Sequence, residues 1–318
     1  MHKVFWCVIA LLVVGLFAPL IGSAHISLQS AFAGASPDHE IFFYARLPRV
    51  LLSLLAGAAL AVTGVVFQAI LRDPLAEPYT LGVSSGASVG AVLAVCLGFR
   101  ATSLAALVGA VAVMLVVLGM ANEGRRMSSF TLLLTGVTMN SLCFAIILFL
   151  HSVASFAQSF AISRWLMGGL DAVEYSTLAW FALVILAVCA VVIGYAPAWN
   201  LISLGEDWAS SRGVKAGAIT VLGFLAGSVL TAVVTSLCGP IGFVGLIVPH
   251  ALRLWLGADH RVLLPCSFLL GAAFLGVCDT LSRVVLSPVE IPVGVVTAMC
   301  GAPFFLWLLR TRRRSAWQ

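Results

Sequence analysis

The groups with which this chain of 318 residues could run a reaction are twelve carboxylates, six histidines and eight cysteines. Their spacing assembles no familiar machinery. The acids lie almost entirely between apolar runs, and no two carboxylates share a run at helical spacing. No GxSxG elbow, no GxxxxGK(S/T) phosphate loop and no dinucleotide fingerprint occurs. The cysteines (Cys7, Cys96, Cys143, Cys189, Cys238, Cys266, Cys278 and Cys300) form no CxxC pair. Nearly all sit in apolar sequence, where a thiol behaves as a small hydrophobe, so neither a disulfide framework nor a zinc site is expected. The histidines are dispersed, and His250 reads as a polar group at a helix end rather than a ligand. The chain is expected to be no enzyme, to bind no ATP by a known loop and to hold no cofactor or metal.

Composition explains why so little chemistry is on offer. The chain is 62% hydrophobic and 9% charged, whereas a soluble domain carries roughly a quarter charged residues. Lipid must therefore be the solvent for much of it. The net charge of +5 does not point to nucleic acid. The cations are scattered between apolar runs and gathered in the terminal "RTRRR", a pattern that membrane orientation explains better. An ion-coupled carrier would keep ionisable groups within its spans. Here the run centres are nearly bare, and Asp279 and Arg283 fall toward the outer end of the ninth run. Energy for any transport would have to come from a partner.

The elements follow from ten apolar runs, at about 4–21, 50–71, 81–99, 101–121, 130–157, 176–199, 217–238, 241–257, 262–287 and 291–309. Each is about 17 residues or longer, enough to span or nearly span a bilayer core. None alternates as a barrel strand would, so helices are the way to cross with every backbone group satisfied. The expected fold is all-α: one polytopic membrane domain over residues 1–318, with about ten transmembrane helices. The first run, with "AFA" at Ala31–Ala33 behind it, could also be a signal peptide; a first span is the preferred reading. With the N-terminus inside and alternate crossing, twelve Lys and Arg, among them Arg125, Arg126, Arg312, Arg313 and Arg314, fall on the inner side and five on the outer. The positive-inside rule then puts both termini in the cytoplasm.

Within this frame some stretches are oddly composed. "GVSSGASVGAVLA" sets Gly82, Gly86 and Gly90 four apart, a face that lets helices approach closely in lipid. "RDPLAEP" (Arg72–Pro78) reads as a rigid inner turn, because Pro74 and Pro78 cannot continue a helix. "GPIGFVGLIVPH" (Gly239–His250) interrupts the passage from the seventh run to the eighth with Gly239, Pro240, Gly242 and Gly245. Non-helical backbone at membrane depth is tolerated only where protein or a water-filled cavity covers it, and broken helices in transporters border the substrate path. The break is therefore expected to help shape a passage.

These stretches, in order, carry a resemblance. The "RLPR" at Arg46–Arg49, the "PLAEP" turn, the "GPIGFVGLIVPH" break, the "DHR" at Asp259–Arg261 and the closing "GAPFF" at Gly301–Phe305 resemble the permease subunits of the iron-siderophore, haem and vitamin B12 (FecCD-type) family of bacterial ABC importers. The resemblance runs over nearly the whole chain. It implies the type II importer permease fold of ten helices, set in the inner membrane. It also implies a homodimer with the path on its two-fold axis, two cytoplasmic ATPase subunits that hold ATP and Mg, and a periplasmic or lipid-anchored substrate-binding protein. The cargo would be a metal chelate, a ferric siderophore first, with cobalamin or haem as alternatives. An ion-coupled carrier or a membrane-embedded enzyme remains a reading from another class.

The resemblance also assigns residues. Arg46, Arg49 and Arg283 match positions that receive acidic residues of the binding protein; anchoring at lipid headgroups is the plainer alternative. Gly205, Glu206, Ala209 and Gly213, with Leu204 before them, match the family's ATPase-contacting G-E-x-x-A-x-x-x-G pattern. Ser210 and Arg212 depart from it, where Arg and Leu are common. Run five places Thr135, Thr138 and Ser141 in roughly one sector, and the family lines its path largely from that helix. Hydroxyls bonded within their own helix are the competing reading.

Overall fold

A computed structural model describes residues 2–22, 24, 26–123, 126–127 and 129–315. Arg125 and the side chains of Arg126, Arg312, Arg313 and Arg314, used above for orientation, lie outside the described residues. Apart from a two-residue antiparallel ladder, Asn122–Glu123 with Arg126–Met127, the described secondary structure is helical. In chain order the helices are α1 (His2–Phe17), α2 (Leu28–Phe32), α3 (Asp38–Glu40), α4 (Leu47–Leu71), α5 (Val83–Leu97), α6 (Thr102–Ala121), α7 (Ser129–Val153) and α8 (Phe156–Leu166). They continue with α9 (Tyr175–Gly194), α10 (Ala196–Ile202), α11 (Glu206–Ser211), α12 (Ala216–Cys238), α13 (Val244–Leu256), α14 (His260–Val284) and α15 (Val293–Ser315).

Seven of these elements are long and apolar enough to cross a membrane: α1, the continuous helical stretch Asp38–Leu71 ending in α4, α6, α7, α9, α12 and α14. Three apolar helices are shorter: Val83–Leu97, Val244–Leu256 and Val293–Leu306. Runs three and eight thus yield less helix than their hydrophobicity predicts. At 1.5 Å per residue α5 and α13 reach roughly 22 and 20 Å, against about 30 Å of hydrocarbon. The missing length is non-helical backbone: a run of turns at residues 72–82 before α5, and irregular chain at 239–243 before α13.

Helix α4 is the centre of the fold. Its apolar window is 83% buried, whereas those of α7 and α9 are each 28% buried. Its sequence, "LLAGAALAVTGVV", is apolar on every side, as a fully enclosed helix requires, and rich in small residues. Helices α12, α13 and α14 pack directly on it. A Cβ at Gly64 would fall inside the carbonyl of Gly245 on α13, so only hydrogen allows that approach. The glycines of α5 act in the same way: Gly86 and Gly90 let α6 come close at Gly109 and Ala105.

Helix α1 lies on α14. Two polar contacts join distant segments at what alternate crossing would make opposite ends. Lys3 Nζ donates to the Trp255 carbonyl at the inner end, and Arg49 reaches Glu290 at the outer end.

Candidate functional site

Three groups of residues carry the polar chemistry of the structure. The first is at the outer end. Arg46 and Arg49 stand at the N-terminal end of α4, and Arg283 at the end of α14. Asp279, one turn before Arg283, has no exposed surface and sits between two guanidinium groups. Arg49 Nε donates to it at 2.9 Å, and Arg283 Nη2 lies 3.0 Å from its other oxygen. Arg49 also reaches Glu290, 2.7 Å away and half exposed. Buried charges persist only where partners offset desolvation, and here each has one. Arg46 donates to the carbonyls of Leu20 and Ala24, and Arg283 to Ile21 at 2.9 Å. Arg46 is 6% and Arg283 4% exposed. Of the three arginines matched to docking positions, Arg46 and Arg283 turn inward to satisfy carbonyls just beyond α1, and Arg49, 13% exposed, stands with Glu290 at the more accessible edge. Beside that edge is a cavity of about 600 Å³ lined by Arg49, Arg164, Trp165, Asp171, Gly239 and Glu290.

The second group is the break. Gly239 borders this cavity, and Pro240 borders a groove of about 680 Å³ against α15. Gly242 faces open space. Gly245 is different: it is buried against the Leu60 carbonyl and Pro78, so it packs rather than lines a passage. The stretch that braces the break is residues 72–82. Read from sequence as an inner turn, it begins there but then enters the protein. Gln68 Nε2 donates to the carbonyls of Ala76 (3.2 Å) and Gly245 (3.1 Å). Glu77 Oε2 accepts the Phe243 N–H at 3.2 Å, and the Tyr79 hydroxyl accepts the Ile241 N–H. A carboxylate at the first N–H groups of α13 suits the positive end of the helix dipole. Sequence reasoning missed Gln68, Glu77 and Tyr79. No spacing signals them: Glu77 between Pro74 and Pro78 reads as part of a solvated turn.

The hydroxyls of α7 do not share one sector. Thr135 is buried, while Thr138 and Ser141 are exposed and bond the carbonyls of Leu134 (2.8 Å) and Val137 (3.1 Å) in their own helix. Three residues of helix turn 300°, so steps from 135 to 138 to 141 sweep across the face rather than stay on it.

The third group is at the inner end. Gly205, at φ 133° and ψ 150°, ends one helix direction and starts α11. That conformation is essentially restricted to glycine. Glu206 opens α11, Ala209 is fully buried against the Ile202 and Ala216 cluster, and Gly213 closes the loop at φ 82°. Leu204 and Trp208 are 64% and 56% exposed. Arg212 stacks on Trp208, 4.9 Å from the ring centroid, which gives that departure from the family pattern a local role; Ser210 is simply exposed. Upstream, the Asn200 amide donates to Asp259 at 2.7 Å and accepts from the His260 N–H at 2.8 Å. The Asn200 and Arg261 donors hold the Asp259 carboxyl below its ordinary value. The "DHR" stretch is thus the cap of α14, clasped by α10.

A bundle of apolar helices with an interrupted helix beside cavities, and a short exposed helix at one end, has the form of a multi-pass membrane transport protein. Comparison with known proteins makes the class definite. The profile of the FecCD transport family matches residues 10–311. The chain is 38% identical to the vitamin B12 import system permease protein BtuC of Shigella boydii, over 97% of this chain and 95% of that one. It is 35% identical to the hemin transport system permease protein HmuU of Yersinia pestis, over 96% and 95%. A solved metal-chelate type ABC transporter in an inward-facing conformation superposes with a TM-score of 0.85 at 32% identity, covering 96% of this chain and 98% of that one. The chain belongs to the FecCD transport family of ABC transporter permease subunits. Such subunits have no ATPase site of their own; hydrolysis is the work of partner subunits.

Proposed function

We propose that this chain is the membrane permease of an ATP-driven importer that moves a metal chelate across the bacterial inner membrane, with a ferric siderophore as the first cargo to test and cobalamin or haem as alternatives. The near-full-length relation to permeases named for vitamin B12 and hemin carries this reading. The seven long helices and three shorter ones then serve as ten spans. Two copies would face each other around the path, the break at 239–243 would border it, and exposed Thr138 and Ser141 would be the α7 hydroxyls available to it. The chain would bind no cofactor, and ATP with Mg would sit on the partner ATPases.

At the inner end, Leu204 and Trp208 on either side of Glu206 offer an exposed apolar surface for the ATPase. At the outer end, Arg49 is the arginine best placed to receive an acidic group of a substrate-binding protein, since guanidinium pairs carboxylate bidentately. Charge reversal at Arg49 should weaken that docking, and added salt should weaken wild-type docking in parallel. Unchanged docking of R49E would remove the arginine from this role.

The deciding experiment is reconstitution in proteoliposomes with the ATPase and binding protein encoded beside it. Ferric siderophore, haem and cobalamin are supplied in turn. Uptake and stimulated hydrolysis with one ligand are expected. Failure of the folded chain to join any ATPase would overturn the reading.

A further inference from the structure

The stretch between α4 and α5 touches both the inner helix α11 and the break. At its start, the Ser129 hydroxyl lies 2.9 Å from the Ile70 carbonyl in the last turn of α4 and 3.2 Å from the Glu206 carboxylate, and donates to one or the other. Arg72, the next residue but one, is left-handed at φ 53°, and its guanidinium reaches Gly205: a Cβ placed there would lie 3.8 Å from Arg72 Nη1. At its far end, Glu77 and Tyr79 accept the N–H groups of Phe243 and Ile241. Between these points the backbone is pinned by Asp73, whose carboxylate accepts the Leu75 N–H at 2.9 Å, and by Gln68 on Ala76.

Phe243 makes this arrangement more than a brace. It stands at φ 70°, a left-handed conformation that a bulky residue adopts only where its surroundings hold it there. Its ring fills the space beside Gly301 on α15. The N–H that Glu77 holds is the one belonging to this strained residue. Residues held in such sparsely populated conformations by their surroundings cluster at switch regions. Such an element can carry a displacement between distant sites.

We propose that residues 72–82 form a strap that couples α11 to the break, with Glu77 and Tyr79 as its positioning residues. This rests on the importer reading above. Displacement of α11 shifts Glu206 and Ser129 against the end of α4. The strap follows, and withdrawal of the Glu77 and Tyr79 acceptors lets Phe243 leave its left-handed conformation and free the α15 face at Gly301. The sequence Glu206, Ser129, Ile70, strap, Phe243 thereby joins the ATPase-facing surface to the passage.

The test uses the full complex of permease, ATPase and binding protein in proteoliposomes, and reads cargo moved per ATP hydrolysed for E77A, E77Q, Y79F, S129A and E77A/S129A. Loss of a hydrogen bond to a buried acceptor predicts a fall of about tenfold in that ratio for E77A and Y79F, with ATP hydrolysis retained. E77Q keeps an acceptor oxygen and should stay within about twofold of wild type. E77A/S129A should be no worse than E77A alone, because both act on one chain of contacts. An unchanged ratio in E77A and Y79F overturns the proposal, as does full additivity in the double variant. If E77A does not assemble, Y79F decides, since it removes a single oxygen. Failure of both to assemble overturns the proposal by making these contacts purely structural. Wild-type uptake with unaffected variants defeats the strap alone, whereas absence of ATP-driven uptake in wild type defeats the importer reading and the strap with it.

Discussion

At the scale of single residues, the outer arginine cluster shows how a charge survives in an apolar protein. Asp279 is completely buried and is the counterion shared by Arg49 and Arg283, while Glu290 supplies Arg49 with a second carboxylate. D279A would leave two guanidinium groups without their shared counterion. Breaking a buried pair costs about 3–5 kcal/mol, so D279A should markedly lower the melting temperature of the detergent-solubilised chain. A melting curve that overlays wild type would show that the pairing is dispensable. Gly205 gives a separable prediction. Its backbone, at φ 133°, would cost an alanine about 1–3 kcal/mol. G205A should misplace α11 and abolish transport-coupled ATPase activity while the spanning helices remain folded, read by circular dichroism beside the coupled assay. Both residues stood out in the sequence for other reasons. Asp279 and Arg283 read in the sequence as charges near a span end, but that they pair with each other and with Arg49 depends on α4 and α14 packing side by side. Spacing along one helix could not reveal that.

At the scale of elements, the packing of α4 decides what can change. Gly64 meets the Gly245 carbonyl across the α4–α13 contact, whereas Gly119 on α6 faces open space. G64A should therefore destabilise by at least the 1–3 kcal/mol typical of overpacking. G119A should be neutral or stabilising by up to about 1 kcal/mol through helix propensity. Thermal unfolding of the two variants side by side checks this, and equal effects would mean that α4 is looser than it stands here. The long helices were legible because a run of about 20 apolar residues has one solution in lipid. The ends of α5 and α13 were not. Apolar residues in turns and irregular backbone score as hydrophobic as those in helix, so the runs at 81–99 and 241–257 concealed where helix begins. The break itself was legible from Gly239, Pro240 and Gly242. Its partner, the strap, was not, because Glu77 between two prolines reads as an ordinary solvated turn until Phe243 is seen beside it.

At the scale of the whole molecule, alternate crossing places α11 and the loop before α15 on opposite faces. Asp207 is exposed and Glu290 is half exposed. In a background without reactive native thiols, D207C and E290C should be labelled by a membrane-impermeant maleimide from opposite sides of sealed vesicles. Labelling of both from one side would refute the arrangement of spans.

The carbonyls that follow α1 carry a further consequence, one of timing. Two of the donors that satisfy Leu20, Ala24 and Ile21 are Arg46 and Arg283, and the second is separated from its acceptor by 262 positions in the chain. Synthesis delivers the N-terminus first. The contact of Arg283 with the segment after α1 can therefore form only once nearly nine-tenths of the chain has been made. One of the earliest segments is thus anchored by one of the last to be made.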